Sequence, residues 1–311
     1  MTSSIRKRAG AAKWWLQCHS PQTLFHQWRS HTVRARLRER FDNMQPLPLP
    51  DKGELEIHTL CGHNQVDMAV WSLRSLCRYG SVSMPVYVHS DGSLTEEDSA
   101  LLSRLFPGVK IVDKSEADRT WKQQQSSAHA HLDTFRRDAH CGRKLVDPHL
   151  FGESKWLFLM DTDILFFEEP VRMLEMFNGA VSKEELTYIS WNAADGLAAS
   201  SQELSERVGW EPVSRFNAGA LFLPRFDKEA WATISSIVNS FPQEWVRHFW
   251  IEQTVYALIA AKYAYRTLPP NYEVGINSRK NCVARHYVGV PTVRPRMFTQ
   301  GIPQSLRNED A

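Results

Sequence analysis

An uninterrupted apolar run that ends in two aspartates is the feature that most constrains how this chain folds. Trp156-Leu157-Phe158-Leu159-Met160 carries no charged side chain, and Asp161-Thr162-Asp163 follows at once. A strand that is apolar on both faces must be covered on both faces, which is typical of a central strand in a parallel sheet between helices. We therefore predict a buried strand over residues 156–160 that ends at Asp161.

The chain before this run alternates between strand and helix patterns. Strands are predicted at 55–60, 85–88 and 109–112, and helices at 67–79 and from 95 to about 106. This β-α-β-α-β order favours an α/β fold, with a doubly wound, mostly parallel sheet and helices on both of its faces. Later in the chain we predict helices within 114–150, a strand at 220–223, helices at 231–241 and about 250–262, and an irregular tail from residue 264.

Asp161 and Asp163 indicate a metal site at the end of the predicted strand. Side chains two residues apart point to the same side of extended backbone, and ligands of open α/β sheets bind beyond the carboxyl ends of the strands. Two carboxylates there can hold a hard divalent cation, which takes further ligands from phosphate and offsets the charge that grows on a diphosphate leaving group. The alternative is that both aspartates only end the strand and bond turn amides.

The segment from Trp156 to Phe166 resembles the DxD strand of GT-A glycosyltransferases, and is most similar to family 8, the glycogenin-like and lipopolysaccharide galactosyltransferase-like enzymes. Four more segments resemble that family in the same order: 215–223 (its FNAG strand), 250–254 (its DQ helix start), 269–272 (its strand-to-tail turn) and 285–289 (its histidine-glycine element). The resemblance covers about residues 54–298. It departs from the family at Glu252, where Asp is usual, and in the absence of a closing Lys-Pro-Trp-type ending.

The resemblance implies a GT-A-like fold and a hexosyltransferase that takes its sugar from a nucleotide-sugar, by resemblance a UDP-hexose, with retention at the anomeric carbon. It implies Mn²⁺ or Mg²⁺ as cofactor, held by Asp161, Asp163 and His286. Lys144 is expected to neutralise donor phosphate or to hold the sugar, and Asp195 to contact sugar hydroxyls. Each of these three residues has a plain alternative: His286 could be a packed histidine of the tail, Lys144 a solvated lysine on a helix, and Asp195 an ordinary loop residue.

Four further residues are candidates on chemical grounds. Asn217 offers a donor and an acceptor to sugar hydroxyls, and Gly219 permits close approach of the backbone to a ligand; a bend that re-enters the sheet is the alternative. Glu252 and Gln253, at a predicted helix start, are candidate catalytic residues that orient the acceptor or stabilise positive charge at the anomeric carbon. Complementing the helix dipole is the other interpretation of this pair.

Three residues near the first two strand ends are candidates for nucleotide binding. His58, Thr59 and Asp91 lie where the base and ribose would sit in such a sheet. Asp91 also resembles the uridine-binding aspartate of related GT-A enzymes. The dipeptide Asp91-Gly92 is equally a plain turn signal.

The first 50 residues differ from the rest of the chain in charge. Residues 1–45 hold nine Lys or Arg against two acidic residues, although the whole chain has a formal net charge of only +2. Trp and Leu residues are interleaved with these charges, which predicts a basic amphipathic helix on an anionic membrane surface. The alternative is a solvated, frayed N-terminus or a helix packed on the edge of the domain. Residues 46–50 alternate Pro and Leu and predict a stiff linker, so the predicted domains are 1–50 and a single main domain, 51–311.

The remaining composition narrows the class of protein. The small net charge argues against a nucleic-acid partner, and the sequence holds no apolar run of membrane-spanning length and no secretory signal pattern. We therefore expect a cytoplasmic protein that contacts the inner face of a membrane. Its five cysteines are widely spaced without a CxxC pair, which predicts reduced thiols and no zinc site.

Two other functions compete with a transferase. A haloacid dehalogenase-type phosphohydrolase also places DxD after an apolar strand, but it needs Thr or Val where this chain has Leu165, and it places that strand near the start of the domain. The second alternative is a catalytically degenerate GT-A domain that binds a sugar or a partner. The presence of both aspartates, Asn217 and His286 argues against it. The acceptor we expect is a cell-envelope glycan or glycolipid.

Overall fold

The structure is a computed structural model that describes residues 18–80, 84–124, 130–177, 186–190, 196–263, 265–275 and 282–307. Asp195, the candidate for contacts to sugar hydroxyls, lies outside the described residues.

The main sheet confirms the predicted fold class. Its strands are β1 (Leu55–Cys61), β2 (Val86–Ser90), β3 (Lys110–Val112), β4 (Trp156–Met160), β6 (Leu186–Ser190), β7 (Phe216–Pro224) and β8 (Tyr265–Thr267). They lie in the order β3-β2-β1-β4-β7-β6-β8. The pairs β3-β2, β2-β1, β1-β4 and β6-β8 are parallel, whereas β7 is antiparallel to both of its neighbours. Every residue of β4 is buried, as a central strand covered on both faces requires.

Helices flank this sheet. They are α1 (Pro21–Glu39), α2 (Val66–Gly80), α3 (Glu96–Leu105), α4 (Lys114–Gln124), α5 (Ala130–Asp138), α6 (Gly142–Val146), α7 (Val171–Phe177), α8 (Ser201–Val208), α9 (Lys228–Ser240), α10 (Gln243–Val246), α11 (Ile251–Lys262) and α12 (Ile302–Arg307). Helix α3 begins at a reciprocal capping box formed by Thr95 and Asp98. Two large apolar clusters of side chains fill the space between sheet and helices.

A second, three-stranded sheet corrects the expectation of an irregular tail. It consists of β5 (Ile164–Phe166), β10 (Ala284–His286) and β9 (Tyr272–Val274), in that order. Strands of three residues are too short to show a period-2 pattern, which is why β9 and β10 could not be predicted from the sequence. This sheet positions the site, because β5 begins directly after Asp163.

Strand β7 is longer than predicted and runs against β4. It begins at Phe216, not at Ala220, so Asn217 and Gly219 lie within a regular strand and not in a bend before it. Ala220 pairs with Met160, the last residue of β4. The antiparallel register therefore brings the first half of β7 alongside the two aspartates.

Residues 18–50 pack on the main domain. Helix α1 begins at an N-cap, where the Ser20 hydroxyl accepts from the Thr23 amide at 3.2 Å, and its Leu37 is buried in the same apolar cluster as Trp71. The segment 46–50 is extended and bonded to the loop after α3, with the Leu47 amide donating to the Leu105 carbonyl at 2.8 Å. None of the described helices combines the length and the apolar composition that a membrane span requires.

Candidate functional site

The two aspartates lie where the chain leaves the main sheet for the small one. Asp161 follows β4, and its amide donates to the Gly219 carbonyl at 2.7 Å. Asp163 precedes β5, and its carbonyl accepts from the Tyr287 amide at 2.8 Å. Asp163 is buried, whereas the side chain of Asp161 is one-third exposed. Both backbone positions are thus fixed by strands on either side, so the carboxylates are held in place before any ligand binds.

Strand pairing brings His286 to the aspartates from far along the chain. In the antiparallel pair β5-β10, His286 lies opposite Ile164, the residue after Asp163. Its Nε2 is 3.0 Å from Asp163 Oδ1 and 3.5 Å from Asp161 Oδ2. The potential ligand atoms of the three residues lie within 4.8 Å of one another. We call Asp161, Asp163 and His286 the acid-histidine cluster; such a mixed carboxylate and imidazole set suits a divalent cation.

Asn217 and Gly219 orient the histidine. Asn217 Oδ1 accepts from the Gly219 amide at 3.0 Å and lies 2.9 Å from His286 Nδ1. Because this oxygen is an acceptor, Nδ1 donates to it, which leaves Nε2 as the ring nitrogen that faces the two carboxylates. A Cβ at position 219 would lie 2.3 Å from His286 Nδ1, so only glycine leaves room for the ring. The close approach that Gly219 permits is therefore to His286.

Lys144 links the cluster to α11. Its buried Nζ lies 2.7 Å from Asp161 Oδ1, 2.6 Å from the Ala218 carbonyl and 3.5 Å from Glu252 Oε1. Burial would lower the pKa of Lys144, but the carboxylates of Asp161 and Glu252 outweigh it and raise the pKa above its ordinary value. Lys144 is thus a permanently charged group that holds one oxygen of Asp161.

Arg294 is a site residue that the sequence reasoning missed. Its Nη2 donates to Asp163 Oδ2 at 2.6 Å. Burial would raise the pKa of Asp163, yet His286 and Arg294 overcome this and lower it to about 2. Arg294 stands among several arginines in a segment with no periodic pattern, and eight residues separate it from His286. The available signal was the basic charge of the tail, which does not single out one arginine.

Glu252 and Gln253 lie in the first turn of α11, as predicted, and their side chains differ in environment. Glu252 is buried, and its Oε1 has no hydrogen-bond partner among the described residues. Burial raises the pKa of Glu252 to about 7, with Asp161 adding to the rise and Lys144 opposing it. Among the described residues, Gln253 bonds to backbone groups: its side chain accepts from the Ala218 amide at 3.1 Å and donates to the Gly196 carbonyl at 2.6 Å. A catalytic role for this pair stays a prediction.

His58 and Thr59 lie apart from the acid-histidine cluster. Strand β1 continues to Cys61, so His58 is in mid-strand, buried and stacked on Tyr87 with ring centroids 4.7 Å apart. Thr59 is buried as well. Asp91, by contrast, is exposed directly after β2, and its Oδ1 accepts from the Ser93 amide at 2.8 Å and the Ser93 hydroxyl at 2.6 Å. Of these three candidates, the structure brings only Asp91 to an open surface near the site.

A cavity of about 610 Å³ adjoins the site. Asp91, Ser93 and Asn64 line one side, and Gly289 and Arg294 line another. Since Arg294 also contacts Asp163, this arginine links the cavity to the acid-histidine cluster. A volume in this range fits a small-molecule ligand.

Comparison with solved structures identifies the fold. The apo form of mouse xyloside xylosyltransferase 1 aligns with a TM-score of 0.50 and 12% identity over 77% of this chain and 97% of that one. The apo structure of the bifunctional glycosyltransferase WbbM aligns with a TM-score of 0.53 and 12% identity over 82% of this chain and 51% of that one. The chain thus spans about half the length of WbbM. No protein-family model and no curated protein sequence matches it. The chain has the GT-A fold of these glycosyltransferases, as the resemblance implied.

Proposed function

We propose that the chain is a metal-dependent glycosyltransferase that moves a hexose from a UDP-sugar to a glycan or glycolipid acceptor, with retention at the anomeric carbon. The observation that carries the proposal is the convergence of Asp161 Oδ2, Asp163 Oδ1 and His286 Nε2 at the carboxyl end of β4. This convergence occurs in a fold shared with two glycosyltransferases.

The cluster suits Mn²⁺ or Mg²⁺ because each of its three residues has one ligand atom bound by the protein and one that faces the other two residues. The second oxygens of Asp161 and Asp163 are held by Lys144 and Arg294, and the second nitrogen of His286 is held by Asn217. One donor atom of each residue is left facing the other two. A divalent cation bound there would neutralise the negative charge that develops on a diphosphate leaving group.

The side chains that line the cavity support a sugar donor whose leaving group is a nucleoside diphosphate. Arg294, which lines the cavity and is 39% exposed, can donate to phosphate from the guanidinium nitrogens that do not contact Asp163. The Asp91 carboxylate and the Ser93 hydroxyl, which also line it, can bond ribose or base. The donor sugar would then lie near Lys144 and Glu252. The orphan Oε1 of Glu252 is the group we assign to stabilising positive charge at the anomeric carbon.

Retention is supported by the contacts that the carboxylates of Asp161, Asp163 and Glu252 already make. An inverting transferase needs a carboxylate base that faces the acceptor hydroxyl. Asp161 and Asp163 face each other and His286, and Glu252 faces Lys144. Proton nuclear magnetic resonance of the first product tests this directly, because retention gives the same anomeric configuration as the donor.

Exposed aromatic side chains support a carbohydrate acceptor. Phe249 and Trp250, directly before α11, are 57% and 42% exposed. Phe249 stacks on His140 with centroids 4.6 Å apart. Such rings offer flat apolar faces with a polar edge, against which the C–H face of a sugar packs. They lie two or three residues before Glu252 in the chain.

The outer face of α1 supports contact with an anionic membrane, where a glycolipid acceptor would be found. Leu24, Phe25 and Trp28 are 46%, 48% and 69% exposed, and Arg29 lies over the Phe25 ring at 5.8 Å. Apolar side chains flanked by arginine favour the surface of anionic lipid. We expect sedimentation with phosphatidylserine vesicles to be lost in Phe25→Ser/Trp28→Ser and kept in Tyr265→Ser, which removes an aromatic ring that is 46% exposed elsewhere. Equal sedimentation of all three would contradict this contact.

The first experiment is calorimetric titration of UDP with and without Mn²⁺. We expect binding that requires Mn²⁺ and is lost in Asp161→Asn and Asp163→Asn, because each removes one of the converging carboxylate oxygens. Asp42→Asn is the matched control, since that side chain is 86% exposed. Release of UDP from UDP-glucose or UDP-galactose would then establish turnover. UDP binding without release from either sugar would favour the degenerate domain, and no binding of UDP or GDP with either Mn²⁺ or Mg²⁺ would refute the transferase.

A further inference from the structure

One wall of the cavity comes from a helix outside the part of the chain that resembles the transferase family. Gln27, Ser30, His31 and Arg34 of α1 line the cavity, opposite the ends of β1 and β2. Their spacing of i, i+3, i+4 and i+7 places them on one face of the helix. Helix α1, part of the segment 1–50 that its charge predicts to be a basic amphipathic segment, therefore contributes side chains to the candidate site.

Arg34 connects α1 to two other parts of the cavity lining, at Asn64 and Phe298. Its Nε donates to Asp67 Oδ2 at 2.8 Å, and its Nη2 donates to the Asn64 carbonyl at 2.7 Å. Its guanidinium also lies over the Phe298 ring, 5.2 Å from the centroid. Asn64 and Phe298 line the cavity themselves. One guanidinium thus fixes α1, the turn after β1 and the C-terminal segment relative to one another.

Further contacts make α1 a fixed wall along its whole length. His26 Nδ1 lies 3.0 Å from the Thr299 hydroxyl, and Leu37 is buried in the main apolar cluster. Phe41, just after the helix, is buried against Trp71 with ring centroids 5.8 Å apart. Because both ends and the middle of α1 are anchored, its cavity-facing groups are positioned before a ligand arrives, which lowers the entropic cost of binding.

The chemistry of this wall suits the nucleoside part of a donor. Gln27 contributes an amide, Ser30 a hydroxyl and His31 an imidazole, and these groups bond base edges and ribose hydroxyls. The charge of Arg34 is already paired with Asp67. Arg294 also lines the cavity; it is paired with Asp163 but is 39% exposed, and it adjoins the acid-histidine cluster, where the diphosphate would lie.

We propose that α1 is a structural part of the donor site, in which Gln27 and His31 hydrogen-bond the nucleoside of a nucleoside diphosphate-sugar. The proposal rests on the proposed function. It makes donor affinity depend on a helix that precedes the catalytic fold, and it assigns nucleotide recognition to side chains that neither the DxD strand nor the tail provides.

The test compares two ligands in the full-length protein. UDP and inorganic pyrophosphate are each titrated by calorimetry in the presence of Mn²⁺, into wild type and Gln27→Ala/His31→Ala. Two lost hydrogen bonds lower UDP affinity by about tenfold or more, whereas pyrophosphate, which has no nucleoside, binds unchanged. The matched control is Gln22→Ala/Arg36→Ala, which removes an amide and a basic side chain from exposed positions of the same helix and leaves both affinities at the wild-type value.

The outcomes separate this proposal from the proposed function. Wild type that binds UDP, with a Gln27→Ala/His31→Ala variant that binds it equally well, would overturn the role of α1 and leave the transferase standing. An equal loss of UDP and pyrophosphate affinity would also overturn it, because the variant would then have disturbed the metal end of the site. Wild type that binds pyrophosphate but binds UDP no more tightly would refute a nucleoside contact. Binding of neither ligand would refute the proposed function itself, and the role of α1 with it.

Discussion

Two buried groups of charged side chains lie on either side of the main sheet's centre, and only one of them has the geometry of a ligand site. The acid-histidine cluster adjoins the carboxyl end of β4. The other group, which we call the Glu56 cluster, consists of Glu56, His58 and Arg225, near the opposite end of β1. Each contains a carboxylate, an imidazole and a neighbouring cation, and the carboxylates of Glu56 and Asp163 are both almost fully buried. Composition and burial alone do not distinguish them.

The difference lies in where the carboxylate oxygens point. In the Glu56 cluster, Oε1 accepts from the amides of Glu153 and Ser154 at 2.9 and 3.1 Å, and Oε2 accepts from Arg225 at 2.7 Å. Those partners belong to the protein and complete both oxygens. In the acid-histidine cluster, one oxygen of each aspartate faces the other aspartate and His286. A divalent cation between two such carboxylates would offset their mutual repulsion, so this arrangement can hold a metal ion and the Glu56 cluster cannot.

The largest expected effect is on stability, in the Glu56 cluster. Glu56→Ala leaves the Arg225 guanidinium and two backbone amides without their acceptor, and breaking such a buried pair costs about 3–5 kcal/mol of unfolding free energy. Chemical denaturation measures it. Glu153→Ala is the control, because its ion pair with Lys52 is more than 80% exposed on both sides and contributes little. If the Glu56→Ala protein is folded at low denaturant, it should still bind UDP with Mn²⁺; loss of that binding would mean that the two clusters are coupled.

The next effect is a stabilisation by metal that only the acid-histidine cluster provides. Mn²⁺ at about 100 times its dissociation constant should raise the unfolding free energy by about 2.7 kcal/mol, since it binds the folded chain. Asp163→Asn should abolish this gain, and Arg225→Met should keep it in spite of a lower starting stability. Thermal unfolding with and without Mn²⁺ measures all three proteins. A gain that persists in Asp163→Asn would assign the metal to another place.

A smaller effect is expected from Asn217, which contacts His286 of the cluster. Asn217→Leu removes the acceptor that fixes the Nδ1 proton, and the loss of such a supporting contact weakens metal binding by about 10- to 100-fold. Asn217→Asp keeps an acceptor for both Nδ1–H and the Gly219 amide, so its Mn²⁺ affinity should stay close to that of wild type. Equal affinities in Asn217→Leu and wild type would show that Asn217 does not set the tautomer.

These contacts show why the sequence predicted one half of the site and not the other. The strand over 156–160 and the aspartates after it were predicted because a five-residue apolar run has a direct physical meaning in a parallel sheet. Strands β1, β2 and β3 and helices α2 and α3 followed from similar patterns, within one or two residues at their ends. The local sequence pattern was sufficient to predict a strand or helix wherever the element was long and packed against a core.

The rest of the site depends on which strands pair, and single-sequence patterns carry no information on that. His286 was identified only through the family resemblance, because its proximity to Asp163 comes from the β5-β10 register. Asn217 was assigned to sugar hydroxyls because nothing in the sequence shows that β7 runs antiparallel to β4. The polar side chain of His58 suggested a strand end, but the ring is buried in mid-strand, with Nδ1 2.9 Å from His89 Nε2 and Nε2 3.5 Å from Glu56 Oε2.

The smallest expected effect concerns the pH dependence of stability in the Glu56 cluster. Burial lowers the pKa of His58 to about 4, with Arg225 and Lys110 adding to the fall and Glu56 opposing it. Between the ordinary pKa of about 6.5 and this value, the unfolded chain binds a proton at His58 and the folded chain does not, so stability falls as the pH falls.

His58→Gln should therefore flatten the decline in unfolding free energy from about pH 6 to about pH 5 by about 1 kcal/mol. His89 and His149, whose pKa values burial also lowers, keep their own contributions, so a decline remains. Denaturation of wild type and His58→Gln at both pH values measures the difference, and His31→Gln, an exposed histidine of α1, is the control that should leave the slope unchanged. Parallel slopes for wild type and His58→Gln would mean that His58 is protonated in the folded chain. Its charge would then need Glu56 as a partner in the same way that the acid-histidine cluster needs a cation, and the contrast between a closed cluster and an open one would no longer hold.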